Sequence, residues 1–145
     1  MSNFRQAEEN VFIGPQPTQH DLQDAKQQGV KTVIDFRMPA ETTASNEELT
    51  KNAGLDYVNI PVNKSHLVID QIGQLDVVMR SKGGPFLLHC ATGTRAALLY
   101  SLSQAGQQNW TAEQTFDAAK KMGFDLKATP EFSMFVKETI DRAKC

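Results

Sequence analysis

One short run of the sequence, residues 89–95, contains the side chains best suited to covalent chemistry. Its order is His-Cys-Ala-Thr-Gly-Thr-Arg, so a glycine and an arginine closely follow Cys90. A cysteine thiolate is a strong nucleophile, and an arginine guanidinium binds oxyanions through two parallel hydrogen bonds. The glycine lets the backbone curl until its amides point towards one centre. The run therefore predicts that Cys90 is a nucleophile and that Arg95 holds an anionic group of the substrate.

The residues between Cys90 and Arg95 are small, and a predicted helix begins at the end of the loop. The positive end of that helix would face the loop, where it would stabilise both a thiolate and a bound anion. A lone cysteine after a core strand is more often a small buried hydrophobe, but its combination with glycine and arginine favours a reactive one. We expect a small anionic substrate, bound by the backbone amides of Ala91, Thr92, Gly93 and Thr94.

Alternating strand-like and helix-like segments predict how this loop is positioned. Short apolar runs predict strands at residues 11–13, 32–36, 57–62 and 85–89. Helical spacing and capping residues predict helices at 18–28, 46–54, 67–80, 94–105, 111–122 and 131–143. This order predicts an α/β fold, a short and mostly parallel sheet flanked by helices, in a single domain of residues 1–145. In such folds ligands bind where the carboxyl end of a strand leads into a helix, as it does at Cys90.

The bulk composition argues against several classes of protein. A net charge of -2, without a basic cluster, gives no reason to expect a nucleic acid or an anionic membrane as partner. The apolar runs are too short to cross a bilayer and the first residues do not resemble a signal peptide, so we expect a cytoplasmic protein. Two cysteines and three scattered histidines form no metal-ligand pattern, and no nucleotide-binding motif is present. We therefore expect no metal and no cofactor, and a solvated terminal thiol at Cys145.

The sequence also resembles known families. The pattern His-Cys-x-x-Gly-x-Arg at 89–95 resembles the active-site loop of cysteine-dependent phosphatases and rhodanese-type sulfurtransferases. A wider resemblance, to the phosphatase-like domain of the beta-lactamase hydrolase-like family, rests on Gly14 to Thr18, Asp21, Leu22, Ala25, Lys26, Gly29, Thr32 to Ile34, and Arg37. It spans about residues 10–140 and implies the fold of the dual-specificity tyrosine phosphatases. It also implies a covalent intermediate on the cysteine.

Two departures from that resemblance lie in the loop itself. Four residues separate Cys90 from Arg95, whereas the phosphatases have five, so the loop is one amide smaller, as in rhodaneses. Ala96 follows the arginine, where those phosphatases carry a serine or threonine that helps the thiolate leave its phosphate adduct. Thr92 or Thr94 could supply a hydroxyl from inside the loop.

A third departure concerns the proton donor. In the phosphatases an aspartic acid about thirty residues before the cysteine protonates the leaving group, and Asn63 stands at the matching position here. An amide cannot donate that proton, which general acids supply with a typical gain of 10²–10⁴-fold in rate. His66 could substitute for the missing acid, or Asp70 if the loop folds inward.

Three further residues are expected to support the loop. We expect His89 to brace it through backbone hydrogen bonds, with a role as general base as the less favoured alternative. Arg37 and Glu41 follow the second predicted strand, whose carboxyl end should lie near Cys90. They are expected either to shape the mouth of the pocket or to form a solvated ion pair.

The missing acid decides the reaction that the sequence favours. In sulfur transfer Cys90 would become a persulfide, and the sulfite or thiolate that departs needs no proton. The sequence therefore favours a rhodanese-like sulfurtransferase. The alternative is a phosphatase that hydrolyses phosphate monoesters through a phosphocysteine. A third possibility is a catalytically silent module that only binds anions, although such a module has no need of a thiol.

Overall fold

The computed structural model describes residues 3–41 and 44–143. Within these residues a five-stranded sheet has the order β1-β2-β5-β3-β4. Its strands are β1 (Arg5–Glu8), β2 (Val11–Gly14), β3 (Thr32–Asp35), β4 (Asp56–Asn59) and β5 (Phe86–His89). β1 pairs with β2 in the antiparallel sense, and the other pairings are parallel. The carboxyl ends of four strands therefore meet at one edge, next to Cys90.

Helices cover both faces of this sheet, as the sequence predicts. They are α1 (Gln19–Gln27), α2 (Ala44–Asn52), α3 (Asp70–Ser81), α4 (Thr94–Gln108), α5 (Ala112–Lys121) and α6 (Pro130–Ala143). Alternate strand residues point to opposite faces. Val33 and Leu87 pack with residues of α1 and α2. Ile34 and Leu88 pack with residues of α3 to α6, in the larger part of the core.

β5 and α4 form the centre of the molecule. All four residues of β5 are buried between β2 and β3. α4 is apolar or small on most of its surface, because α3, α5 and α6 pack against it as well as the sheet. A helix that is apolar all round belongs inside a protein rather than on its surface. The loop at 90–93 thus connects two largely buried elements, which fixes both of its ends.

Local sequence signals explain where several helices begin. The Thr18 hydroxyl accepts a hydrogen bond from the Asp21 amide, and the Asp21 carboxylate accepts one from the Thr18 amide, in a reciprocal capping box. Thr111 and Gln114 form the same arrangement at the start of α5. Both caps confirm the starts predicted from sequence. α2 begins at Ala44, two residues before the predicted cap Asn46, whose side chain is not among those described.

The structure changes several predicted boundaries and adds one strand. β4 ends at Asn59 rather than at residue 62, because the register to β3 slips there: the Ile60 amide donates to the Asp35 carbonyl, but the Val62 amide donates to the Phe36 carbonyl. α3 begins at Asp70 rather than at residue 67, since residues 63–66 form a turn closed by a bridge between Asn63 and His66. β1 was not predicted, because its residues are charged or polar and mostly exposed on an edge strand.

Two other expectations concern a membrane-spanning helix and the thiol of Cys145. No helix among residues 3–41 and 44–143 is both long and apolar enough to cross a membrane. Cys145 lies outside the described residues, so the expectation of a solvated terminal thiol stays a prediction.

Candidate active site

Cys90 lies at the carboxyl end of β5 and is the first residue of a tight loop. It is 1% exposed, and its Sγ accepts a hydrogen bond from the Gly93 amide at 3.0 Å. The sulfur therefore points into the loop that its own backbone forms. Since Gly93 is also the N-cap of α4, the amide that contacts the sulfur belongs to the positive end of a helix.

Gly93 is the residue that makes this loop possible. Its φ of 101° is in the left-handed region, which residues with a side chain rarely adopt. A Cβ at this position would lie 2.8 Å from a ring carbon of Phe124 and 3.1 Å from the backbone of Gly14. The loop is therefore enclosed by the segment after α5 and by the end of β2. The amide of Gln16 adds a hydrogen bond to the Ala91 carbonyl at 3.3 Å.

Arg95 is held by Glu41 at the terminal nitrogens of its guanidinium. Nη1 and Nη2 donate to the two carboxylate oxygens of Glu41 at 2.8 and 2.7 Å. Nη1 also donates to the Val62 carbonyl at 3.0 Å. The Nε edge of the guanidinium is left without a carboxylate, and this edge can bind two oxygens of a tetrahedral anion. Glu41 thus orients Arg95 at one edge of the guanidinium, and the Nε edge remains available to an anion.

Arg95 and Glu41 each stabilise the charged form of the other, as the shifts of their pKa values show. The hydrogen bonds from Arg95 lower the pKa of Glu41 to about 2, despite some burial, and the Met38 amide contributes another hydrogen bond at 2.7 Å. Hydrogen bonding to Glu41 raises the pKa of Arg95, and the neighbouring Cys90 raises it further. Glu41 is therefore ionised at neutral pH. The sequence suggested Glu41 as part of the pocket mouth, but its pairing with an arginine 54 positions away had no local signal.

Neither expectation for Arg37 matches the structure. Its side chain is 1% exposed, and its Nε and Nη2 donate to the Asp35 carboxylate at 3.0 and 2.9 Å. Arg37 is therefore buried at the end of β3 rather than exposed at the pocket mouth, and its partner is Asp35 rather than Glu41. The Tyr57 hydroxyl donates to the same carboxylate at 2.7 Å. Burial by itself raises the pKa of Asp35, but the hydrogen bonds from Arg37 and Tyr57 and the neighbouring His89 outweigh it, and the net pKa is lowered.

His89 supports the loop with its backbone and not with its ring. Its carbonyl accepts a hydrogen bond from the Phe36 amide at 2.8 Å, as part of β5. The imidazole is fully buried, and neither ring nitrogen has a hydrogen-bond partner with good geometry among the described residues. Nδ1 lies 3.8 Å from an Asp35 oxygen. Burial lowers the pKa of His89 to about 4, although Asp35 opposes the shift, so the ring is neutral at physiological pH.

Neither candidate for the proton donor, His66 or Asp70, lines the cleft above the loop, and Asn63, at the position of the missing acid, does not line it either. Asn63 and His66 lie in an exposed turn, where the Asn63 side chain accepts a hydrogen bond from the Ser65 amide at 2.9 Å. Asp70 lines a separate depression together with residues of α6. The turn instead brings Lys64 to the cleft. This residue was not singled out from the sequence.

The cleft above the loop has a volume of ≈ 270 Å³. The residues that line it are Glu41, Lys64, Ala91, Thr92, Thr94, Arg95, Thr129 and Phe132. The hydroxyl oxygens of Thr92 and Thr94 lie 3.3 Å apart within it. The structure thus brings the predicted nucleophile loop, its arginine and two hydroxyl groups to the same cleft. Over the part of the chain that is described, no cluster of three potential metal ligands occurs.

The sequence matches a known family along most of its length. Residues 3–107 match the family described as "Beta-lactamase hydrolase-like protein, phosphatase-like domain". The chain belongs to this family. The beta-lactamase hydrolase-like protein of Agrobacterium fabrum is 31% identical over 125 residues, which are 83% of this chain and 29% of that protein. The chain therefore spans less than a third of the length of this relative.

Solved structures share the fold of this phosphatase-like domain. A DUF442 protein of Shewanella putrefaciens CN-32, provisionally named a phosphatase, is 25% identical with a TM-score of 0.76, covering 94% of this chain and 88% of that chain. Pseudomonas aeruginosa TpbA, a cysteine-to-serine variant in complex with phosphotyrosine, has a TM-score of 0.77 at 17% identity, covering 97% and 87%. These matches confirm the cysteine-phosphatase-like α/β fold predicted from sequence.

The comparisons bear differently on the two predicted reactions. The family and the provisionally named neighbour both point to a phosphatase-like domain related to the cysteine phosphatases. None of the matches described above is a sulfurtransferase. The preference for sulfur transfer that the sequence suggested is therefore not supported, and the alternative of phosphate hydrolysis is the better supported reaction.

Proposed function

We propose that this chain is a cysteine-dependent phosphatase, which hydrolyses phosphate monoesters through a phosphocysteine on Cys90. The observation that carries the proposal is the orientation of Arg95 beside Cys90. Glu41 occupies its terminal nitrogens, and the Nε edge stays open for a tetrahedral anion. An arginine used in this way matches two oxygens of a phosphoryl group. The same edge would also fit an oxyanion such as thiosulfate, so the choice of phosphate rests on the phosphatase-like family of the chain.

The first half of the reaction transfers the phosphoryl group to the enzyme. The backbone amides of the loop and the Nε edge of Arg95 bind the phosphoryl oxygens, and the Cys90 thiolate attacks the phosphorus. The bond between phosphorus and the ester oxygen breaks, and its electron pair leaves with that oxygen. Donors that are fixed before the reaction stabilise the charge that develops on the phosphoryl group, which is a major contribution to catalysis.

The second half of the reaction regenerates the thiolate. Water attacks the phosphocysteine, the bond between sulfur and phosphorus breaks, and inorganic phosphate leaves. The Sγ recovers its electron pair in a position where the Gly93 amide donates to it at 3.0 Å. The hydroxyl groups of Thr92 and Thr94 lie in the same cleft and are available to assist this step.

A turnover assay with two kinds of substrate tests the proposal. The protein is incubated with 4-nitrophenyl phosphate and, separately, with thiosulfate plus cyanide. We expect phosphate release from the ester, and rapid acid quenching should trap a species heavier by one phosphoryl group on Cys90. Cys90→Ser serves as the blank, and Cys145→Ser is the matched control that should keep full activity. Formation of thiocyanate without phosphate release would overturn the proposal.

A rhodanese-like reaction is the second candidate, because two observations favour it. The loop has four residues between Cys90 and Arg95, and the one carboxyl group among the residues that line the cleft is ionised. A sulfur donor such as thiosulfate would leave a persulfide on Cys90 without any proton donor. The same assay separates the two reactions, since a persulfide adds one sulfur atom and is removed by cyanide.

A further inference from the structure

The cleft above Cys90 offers a leaving group no carboxylic acid. Glu41 carries the one carboxyl group among the residues that line the cleft, and both its oxygens are held by Arg95. Those hydrogen bonds keep it ionised at neutral pH. Neither Asn63, His66 nor Asp70 lines the cleft. The negative charge that develops on a departing oxygen must therefore be stabilised by a different kind of group.

Lys64 brings such a group to the cleft. It lines the cleft with an exposed side chain, and no hydrogen bond or ion pair joins it to any other described residue. The turn that carries it begins next to the guanidinium, since the Val62 carbonyl accepts a hydrogen bond from Arg95 Nη1 at 3.0 Å. The turn is held by its own backbone, with a hydrogen bond from the His66 amide to the Asn63 carbonyl at 2.9 Å. Lys64 is thus a cation at the cleft that no carboxylate of the described residues neutralises.

We propose that Lys64 is a specificity-determining residue, which binds an anionic group on the leaving-group part of the substrate. This inference rests on the phosphatase function proposed above. The phosphoryl oxygens occupy the loop amides and the Nε edge of Arg95, so Lys64 remains for the rest of the substrate. The preferred substrates are therefore phosphate esters whose leaving group carries a second negative charge, such as a carboxylate or another phosphate.

The charges in the cleft agree with this preference. Glu41 balances the charge of Arg95, and the thiolate of Cys90 is negative during attack. When the ester bond breaks, the leaving oxygen gains an electron pair and becomes negative as well. An ammonium at the wall of the cleft attracts both this oxygen and a neighbouring anionic group. No oxidant, reductant or metal is required for the step, because water completes the reaction as above.

A matched pair of substrates tests the role of Lys64. The first is 3-carboxyphenyl phosphate and the second is 3-carbamoylphenyl phosphate, which differ in charge but have leaving phenols of similar acidity. We expect kcat/KM for the carboxylate to exceed that for the amide by roughly tenfold, the size of one charge-assisted contact. Lys64→Met should reduce this ratio to about one, and Lys64→Arg should preserve most of it. High salt should reduce the ratio in the wild type.

Lys82→Met provides the control for a general loss of positive charge. Lys82 is also exposed, but it follows α3 and precedes β5, at the opposite edge of the sheet from Cys90. The ratio should be unchanged in this variant. A wild-type ratio near one, or a ratio that survives Lys64→Met, would overturn the role of Lys64 and leave the phosphatase function intact. Hydrolysis of 4-nitrophenyl phosphate without hydrolysis of either ester would overturn the role of Lys64 alone, and failure on all three substrates would overturn both proposals.

Discussion

Arg37 and Arg95 each bind a carboxylate through two nitrogens, but they do so with different edges of the guanidinium. Arg37 donates from Nε and Nη2 to Asp35 at 3.0 and 2.9 Å. Arg95 donates from Nη1 and Nη2 to Glu41 at 2.8 and 2.7 Å. The first pair is buried at the end of β3, whereas the second lies at the wall of the cleft.

This difference determines what each arginine can do. The Nε edge is the one that a tetrahedral oxyanion would use, and in Arg37 it is already occupied by Asp35. In Arg95 the carboxylate is at the other edge, so the guanidinium is oriented and still has two donors available. An ion pair of the same chemical composition thus stabilises the fold in one place and prepares a binding group in the other. Four experiments separate these two roles, in order of decreasing expected effect.

Arg37→Met should produce the largest change in stability. The substitution leaves the Asp35 carboxylate buried without its cation, and breaking a buried pair in this way costs about 3–5 kcal/mol of unfolding free energy. Urea unfolding followed by circular dichroism measures the loss. Asp35→Asn with Arg37→Met should recover part of it, because the uncompensated charge is removed. A loss below about 1 kcal/mol would mean that the buried pair does not support the sheet edge.

Arg95→Lys should produce the largest change in activity. Lysine keeps the charge but lacks the two parallel donors, and removing one such preorganised donor typically costs roughly 10²–10³-fold in kcat. The rate of 4-nitrophenyl phosphate hydrolysis measures this effect. The unfolding free energy should fall by less than about 1 kcal/mol, since this pair is partly exposed. The opposite pattern, with a large loss of stability and little loss of rate, would make the two arginines equivalent.

Acid should weaken the buried cluster through His89. Its folded pKa of about 4 is below the ordinary value of 6.5, so the unfolded chain binds a proton first as the pH falls. Stability should therefore decrease between about pH 6.5 and 4, by about 3 kcal/mol in total. Chemical unfolding at a series of pH values measures the slope. His66→Gln, which changes an exposed histidine, should not alter it. If the unfolding free energy does not change with pH in this window, protonation of His89 does not destabilise the folded protein.

Glu41→Gln should have the smallest effect of the four. The glutamine cannot accept two charged hydrogen bonds, so Arg95 becomes less well oriented while its charge is kept. We expect kcat to fall roughly tenfold with little change in KM, less than the hundredfold loss that a 1 Å displacement of a reacting group can cause. Glu47→Gln is the matched control, because Glu47 forms an exposed ion pair with Lys51 on α2. Equal rates in both variants would show that Glu41 does not position Arg95.

The local sequence was sufficient to predict the position of the loop and most of the helices and strands. Cys90, Gly93 and Arg95 lie within six consecutive residues, so their spacing alone predicts a shared site. The partners of that site come from distant segments. Glu41 meets Arg95 across 54 positions, and only the parallel packing of β3 and β5 brings these segments together. Asp35 was not singled out from the sequence, because a polar residue near the end of a predicted strand gives no local signal that separates a buried anchor from a solvated residue.

The enclosure of Gly93 has a further consequence for how the loop meets a ligand. A side chain there would collide with Phe124 on one side and the backbone of Gly14 on the other, so neighbours far apart in sequence limit the space available to this loop. Both ends of the loop are fixed by buried elements. A loop that is already ordered loses little conformational entropy on binding, and more of the interaction free energy therefore contributes to affinity. The enclosure of Gly93 thus increases the affinity for an anion by lowering the entropic cost of binding, in addition to the contacts that the anion makes.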